Sequence, residues 1–227
     1  MGAKEQYLEL EDEIQTFRMN HAPYPITLIA VSKGVPVEKI KEVYTSGCRD
    51  FGESSLSEWA EKKDLLPSDI RWHFIGPLQT KKLPKLINAF ALIHSVDSLE
   101  ILKGIHERSQ KAGVITPVLL EANTSGEETK KGLTPYEWEE VWNDCGQLTS
   151  VEIQGLMTMA PLTEDKTTIR TCFKALRDLR DRLIARAFAH TPLYHLSMGM
   201  SNDWKIALDE GATILRIGTA IFKEKLQ

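Results

Sequence analysis

Short runs of aliphatic and aromatic residues recur along the chain, each followed by a polar or glycine-marked break and then by a segment whose apolar residues return every three or four positions. The first pattern marks a buried strand and the second an amphipathic helix. Strands are accordingly predicted at 26–33 (ITLIAVSK), 49–53 (RDFGE), 71–76 (RWHFIG), 91–96 (ALIHSV), 117–123 (PVLLEAN), 151–159 (VEIQGLMTM), 192–198 (PLYHLSM) and 213–222 (TILRIGTAIF). Helical windows lie between them at 36–46, 54–64, 80–88, 97–112, 134–146, 164–189 and 202–210. Pro36, Asp97 before Ser98, Pro135 and Ser201 supply start signals. Ahead of the first strand, Tyr7, Leu10, Ile14 and Phe17 are spaced as one face of an N-terminal helix.

Eight strands alternating with helices build a parallel sheet covered by helices, and eight is the number that closes a (β/α)8 barrel. The expected fold class is α/β: a single TIM barrel over residues 1–227 with an N-terminal helix. An open doubly wound sheet ordinarily shows a Gly-rich turn after its first strand. Here VSKGVP offers one glycine with a proline close behind, and neither GxGxxG nor a Walker loop occurs. No linker or low-complexity tract marks a second domain.

Composition narrows the function classes. With 42% hydrophobic and 26% charged residues, the chain lies far from compositions that stay disordered. The formal charge is −4, from 28 Lys+Arg against 32 Asp+Glu, with both signs interspersed. That argues against the basic stripe a nucleic acid or an anionic membrane demands. The longest apolar run, Ala89 to Ile93, is far short of the roughly 20 residues that cross a bilayer. Acidic residues fill the N-terminal stretch where a secretory signal is apolar, and Gln6 stands where a myristoylation signal has Ser or Thr. The expected location is the cytoplasm. Cys48, Cys145 and Cys172 form no CxxC or Cys/His pair and read as packing residues.

In such barrels the working residues stand at the carboxyl ends of the strands, with phosphate often held after strands 7 and 8. Lys33 closes the first strand on the face of Ile29 and Val31. Partial desolvation there would favour the neutral amine that a Schiff base needs; a lysine snorkelling into solvent is the alternative. Arg216 shares a face with Ile214 and Gly218 inside an apolar strand, so it needs a partner, either a carboxylate such as Glu53 or a ligand acceptor. HLSMGMSND combines glycine and serine hydroxyls, with Ser201 placed to cap the next helix, and Gly218-Thr219 follow strand 8. A cap and a turn would explain the same residues. Met157, Met159, Met198 and Met200 are expected to cluster as core or as an apolar wall. His73, His94 and His195 show no metal-ligand spacing and read as core histidines, each with local hydrogen bonds. EETKKG (127–132) reads as a solvated loop, and Lys81, Lys82 and Lys130 as solvated faces or a surface route for an anion.

Taken together, AVSK, RDFGE, RWHFIGPLQTKK, IHSVDS, NTSGEETKKG, GLMTM and LSMGMSNDWKIALDEGATILRIGTAIF resemble the pyridoxal-phosphate homeostasis (YggS-like) family from about Leu28 to Phe222. The resemblance implies a barrel of the alanine-racemase type carrying pyridoxal 5'-phosphate as an internal aldimine on Lys33. It places the cofactor phosphate on Ser201, Gly218 and Thr219 with Met200 beside it, Arg216 opposite the pyridine nitrogen, and Ser54, Met157 and Ser197 among the cofactor-binding residues. The chain departs from the family pattern at Ser54, usually asparagine, at Lys81, also usually asparagine, and at Lys223, usually glycine.

Opposite a pyridine nitrogen, an arginine leaves that nitrogen unprotonated and weakens the ring as an electron sink. A racemase also needs a second acid/base on the other face of its substrate, and Tyr194, the one tyrosine in a predicted strand, lies near the wrong end. The expectation is a monomeric carrier that buffers or delivers pyridoxal phosphate to apo-enzymes, with no catalytic residues. A small pyridoxal-phosphate-dependent racemase or lyase is the rival, and a cofactor-free interaction module the third reading.

Overall fold

Eight parallel strands close on themselves in chain order: β1 (Thr27–Val31), β2 (Asp50–Glu53), β3 (Arg71–Phe74), β4 (Leu92–Val96), β5 (Thr116–Glu121), β6 (Val151–Met157), β7 (His195–Ser197) and β8 (Ile214–Ile217). The seam pairs Ile29 with Arg216 and Ala30 with Ile217. This is the computed structural model of the chain, and it describes residues 2–21, 24–127 and 129–223. Glu128, within the EETKKG loop, lies outside them.

Side chains alternate along each strand. Ile29, Leu92, Leu119, Met157 and Ile214 fill the interior. The opposite faces, among them Ala30, Phe51, Phe74, Ile93, Leu120 and Ile153, join the larger core beneath the helices.

The helices are α1 (Ala3–His21), α2 (Val37–Thr45), α3 (Leu56–Lys63), α4 (Leu99–Ala112), α5 (Pro135–Glu140), α6 (Trp142–Cys145), α7 (Lys166–Ile184), α8 (Trp204–Asp209) and α9 (Thr219–Phe222). α1 buries Tyr7, Leu10 and Ile14, and Phe17 meets Trp204 edge-on at 5.7 Å, as the N-terminal spacing predicts. Among the described residues no helix is long and apolar enough to cross a membrane.

Four expectations give way to local chemistry. The window 80–88 is a 3-10 helix, Thr80–Lys85, because Pro84 lacks an amide proton and disfavours the α region for its neighbour. The window 134–146 divides at Val141. β7 is confined to His195–Ser197, since Leu193 adopts φ 52° just ahead of it. The predicted eighth strand ends at Ile217: the amides of Ile221 and Phe222 turn back to the Gly218 carbonyl and form α9.

Candidate functional site

Lys33 lies exposed in the turn beyond β1. The strand ends two residues before it, so the turn carries the amine clear of the barrel wall and the expected desolvation is absent. A buried cluster holds that turn from behind. Lys62 Nζ, on α3, donates to the Ser32 carbonyl at 2.7 Å, to Glu53 Oε1 at 2.9 Å and to Glu58 Oε1 at 2.5 Å. Ser32 Oγ donates to Glu53 Oε1 at 2.7 Å, and the Gly34 amide donates to Glu58 Oε1 at 2.5 Å. Both neighbours of Lys33 are thereby fixed. Burial pushes the Glu53 carboxyl up against the opposing pull of Lys62 and Ser32. Glu53 is therefore the partner of Lys62 and not of Arg216.

Arg216 is 5% exposed. Its Nη1 donates to Ser197 Oγ at 2.6 Å and its Nη2 to the Thr158 carbonyl at 2.9 Å, so a hydroxyl and a main-chain oxygen replace the expected carboxylate. Burial pushes the guanidinium down to about 10, with the charges of Glu121 and Asp203 opposing. The group stays a cation at neutral pH and can only donate.

The loops after β7 and β8 are tied together: the Ala220 amide donates to Ser201 Oγ at 3.2 Å. That bond corrects the reading of Ser201 as a helix cap, because α8 begins later, with Asp203 at its cap position. Gly199 has φ +96°, and a Cβ there would fall 2.6 Å from Ala207 Cβ and 2.8 Å from Leu215 Cδ2. Beside β1, a Cβ on Gly218 would stand 3.0 Å from the Val31 carbonyl. Among the described residues, the amides of Ser201, Asn202 and Thr219 donate to no protein acceptor. Met200 is exposed beside them.

The remaining predicted residues scatter. Met157 lies in the interior cluster and Met198 in the outer core, whereas Met159 and Met200 are exposed, so the four methionines form no single cluster. Ser54, half-buried, borders a cavity of about 90 Å³ with Phe74, Pro77, Leu78 and Lys82. Lys130 faces Glu127 at 3.7 Å. All three cysteines are free and buried, as packing residues are. Among the described residues no group of three His, Cys, Asp or Glu side chains is placed to hold a metal.

The histidines depart from expectation, since two of them bond to each other: His73 Nδ1 and His94 Nε2 are 3.0 Å apart. His94 Nδ1 is 2.9 Å from Ser197 Oγ and His73 Nε2 is 3.1 Å from Asp50 Oδ1. Glu121, closing β5, was not singled out from sequence. Burial, then the charge of Asp97, pushes its carboxyl up to about 7 against the pull of Arg216 and Lys131.

The family model for the N-terminal domain of alanine racemase matches residues 9–225. The chain belongs to this family. A pyridoxal phosphate homeostasis protein of Aquifex aeolicus is 42% identical over 199 residues, covering 87% of this chain and 86% of that protein. One from Schizosaccharomyces pombe is 34% identical over 200 residues, covering 87% and 83%. At that level of identity this family member stands among the pyridoxal phosphate homeostasis proteins. PipY of Synechococcus elongatus, solved with pyridoxal phosphate bound, superposes with a TM-score of 0.85 at 32% identity, over 97% of this chain and 99% of its own. The alanine racemase of Streptomyces coelicolor superposes with a TM-score of 0.76 at 17% identity, over 98% of this chain but 58% of its own, a likeness of fold alone.

Proposed function

We propose that this barrel is a single pyridoxal 5'-phosphate-binding domain that acts in intracellular homeostasis of the cofactor by buffering or delivering it. One observation carries the reading: β1 and β8 are neighbours at the seam. The exposed Lys33 amine, the buried Arg216 donor and the joined loops of Ser201 and Thr219 therefore stand at adjacent strand ends. The donor set fits the cofactor. Lys33 Nζ would hold the cofactor by its aldehyde carbon as a Schiff base, with one water released. Ser201, Gly218 and Thr219, with Met200 alongside, would receive the phosphate, the main-chain amides of Ser201 and Thr219 having no other acceptor among the described residues. Ser54, just past β2, would contribute a hydroxyl toward the ring, with Met157 and Ser197 lining the interior beneath it.

When bound, the cofactor supplies an aldehyde and an electron-withdrawing ring. Arg216 keeps the ring nitrogen unprotonated, which suits holding more than carbanion chemistry. Cytoplasmic location, a monomeric state and hand-over to apo-enzymes belong to the same proposal. Glu121 favours a second reading, a small racemase or lyase, because a buried carboxyl at about 7 is poised to exchange protons. Steady amino-acid turnover lost in both Lys33→Ala and Glu121→Gln would establish that reading over the carrier.

The test of the cofactor itself is the absorption spectrum with added pyridoxal phosphate, followed by borohydride reduction and peptide mapping. A yellow protein with the reduced adduct on Lys33 is the expected result. A colourless protein, or an adduct elsewhere, would overturn it.

A further inference from the structure

One hydrogen-bonded file of polar side chains crosses the interior of the barrel. Leu92 and Ile214 belong to the interior cluster, so His94 and Arg216, two residues further along their strands, face inward as well. Ser197 pairs with Met157, and His73 with Leu92, on the same side. Gly52 is the register partner of His73, and Asp50 precedes it by two. Five polar side chains thus form one file across β2, β3, β4, β7 and β8.

Its polarity follows from its ends. Arg216 can only donate, and it donates to Ser197 Oγ at 2.6 Å. Ser197 has one proton, and among the described residues its other neighbour is His94 Nδ1 at 2.9 Å. If Ser197 donates to Nδ1, His94 carries its proton on Nε2 and donates to His73 Nδ1 at 3.0 Å, and His73 donates from Nε2 to Asp50 Oδ1 at 3.1 Å. Every proton is then used. The reverse direction would leave the Ser197 hydroxyl without an acceptor and require His73 to donate from both nitrogens. Asp50 is held at the far end by Arg71, whose Nε and Nη2 donate at 2.8 and 2.5 Å, beside a cavity of about 270 Å³ under α1.

We propose that Asp50, His73, His94 and Ser197 are positioning residues for Arg216, an interior relay of hydrogen bonds that orients the guanidinium as a donor to an aromatic ring nitrogen of the bound ligand. This rests on the cofactor reading above, with the ring nitrogen of pyridoxal phosphate as the acceptor. Two N–H groups of Arg216 are committed, to Ser197 and to Thr158, and the rest of the guanidinium is left for the ligand. The groups facing His94 are His73 on β3, Ser197 and His195 on β7, and Arg216 on β8. Burial holds the His94 imidazole well below its usual value, with the nearby Arg216 guanidinium acting in the same direction. The interior therefore keeps His94 neutral, as the relay requires.

Imidazole nitrogen NMR of the whole protein, with and without pyridoxal phosphate, reads the relay directly. Both His73 and His94 are expected with the proton on Nε2; a proton on Nδ1 of either would overturn the direction. In His94→Leu, the loaded protein is expected to show a shifted absorption maximum and release of pyridoxal phosphate about tenfold faster, the factor that an unpartnered buried donor brings. His94→Gln, whose amide accepts from Ser197 and donates to His73, should restore both to within about threefold. An unchanged spectrum and release rate in a folded His94→Leu would sink the proposal while leaving the cofactor reading intact. If that variant does not fold, Ser197→Ala, which removes a single oxygen, carries the same measurement. Absence of a Lys33 adduct in the unmodified protein would instead remove the cofactor reading, and the tautomers would still decide whether the relay exists.

Discussion

Buried charges are the strongest constraints on this site, and each is met differently. Glu53 and Lys62 satisfy each other behind the Lys33 turn, with the side chains 0% and 9% exposed. Removing the cation leaves a buried carboxylate without its partner, so Lys62→Met is expected to cost about 3–5 kcal/mol in urea unfolding and to slow the Lys33 adduct by loosening the turn. Glu121 has a folded-state value of about 7, above the ordinary 4.5, so the folded protein binds the proton more tightly than the unfolded chain. Stability from this group is full below about pH 4.5 and is lost as pH rises through 7, a swing on the order of 3 kcal/mol. Glu121→Gln should abolish that part of the pH dependence, leaving the variant relatively more stable at pH 8 than at pH 5. The burial of Arg216 inside an apolar strand was legible from strand alternation. The partner of Arg216 was not, because a carboxylate and a hydroxyl are equally plausible until the neighbouring strand is placed.

The loops after β7 and β8 show how short elements build a site that their own propensities do not announce. Residues 218–222 are apolar enough to read as a strand, yet the capture of two amides by the Gly218 carbonyl turns them into α9 and brings Ala220 to Ser201. Gly199 makes the preceding turn possible, since its φ of +96° is costly for an L residue and its Cβ position is already filled by Ala207 and Leu215. Gly199→Ala is expected to lose more than about 2 kcal/mol of stability by thermal unfolding, from backbone strain and overpacking together. Its phosphate contacts should weaken in parallel, read by fluorescence titration with pyridoxal phosphate. Of the helix starts written in the local sequence, Ser98 caps α4 by accepting from the Ile101 amide and Pro135 opens α5, where Thr134 with Glu137 forms a capping box, whereas Ser201 caps no helix.

Closure of the sheet unites these parts. β8 pairs with β1, α1 packs against α2, α8 and α9, and the interior relay runs from Arg71 at one end of the barrel to Arg216 near the other. A ligand that bridges Lys33 on one side of the seam and Ser201 on the other should stabilise the whole fold. At a hundredfold excess over its Kd, pyridoxal phosphate is expected to raise the unfolding free energy by about 2.7 kcal/mol, with a smaller rise in Lys33→Ala at the same concentration. Equal rises in both proteins would place binding elsewhere. The eight-strand count, the inward parity of Arg216, the burial of His73 and His94, and the start of α4 at Ser98 follow from spacing and neighbouring residues, and so could be read along the chain. Which side chains meet across the barrel depends on the register between strands tens of residues apart, and that is set when the sheet closes and the interior packs. Lys62 with Glu53, His73 with His94, and Ser201 with Ala220 are contacts of that second kind: the alternation places their residues on a face, and closure gives each its neighbour.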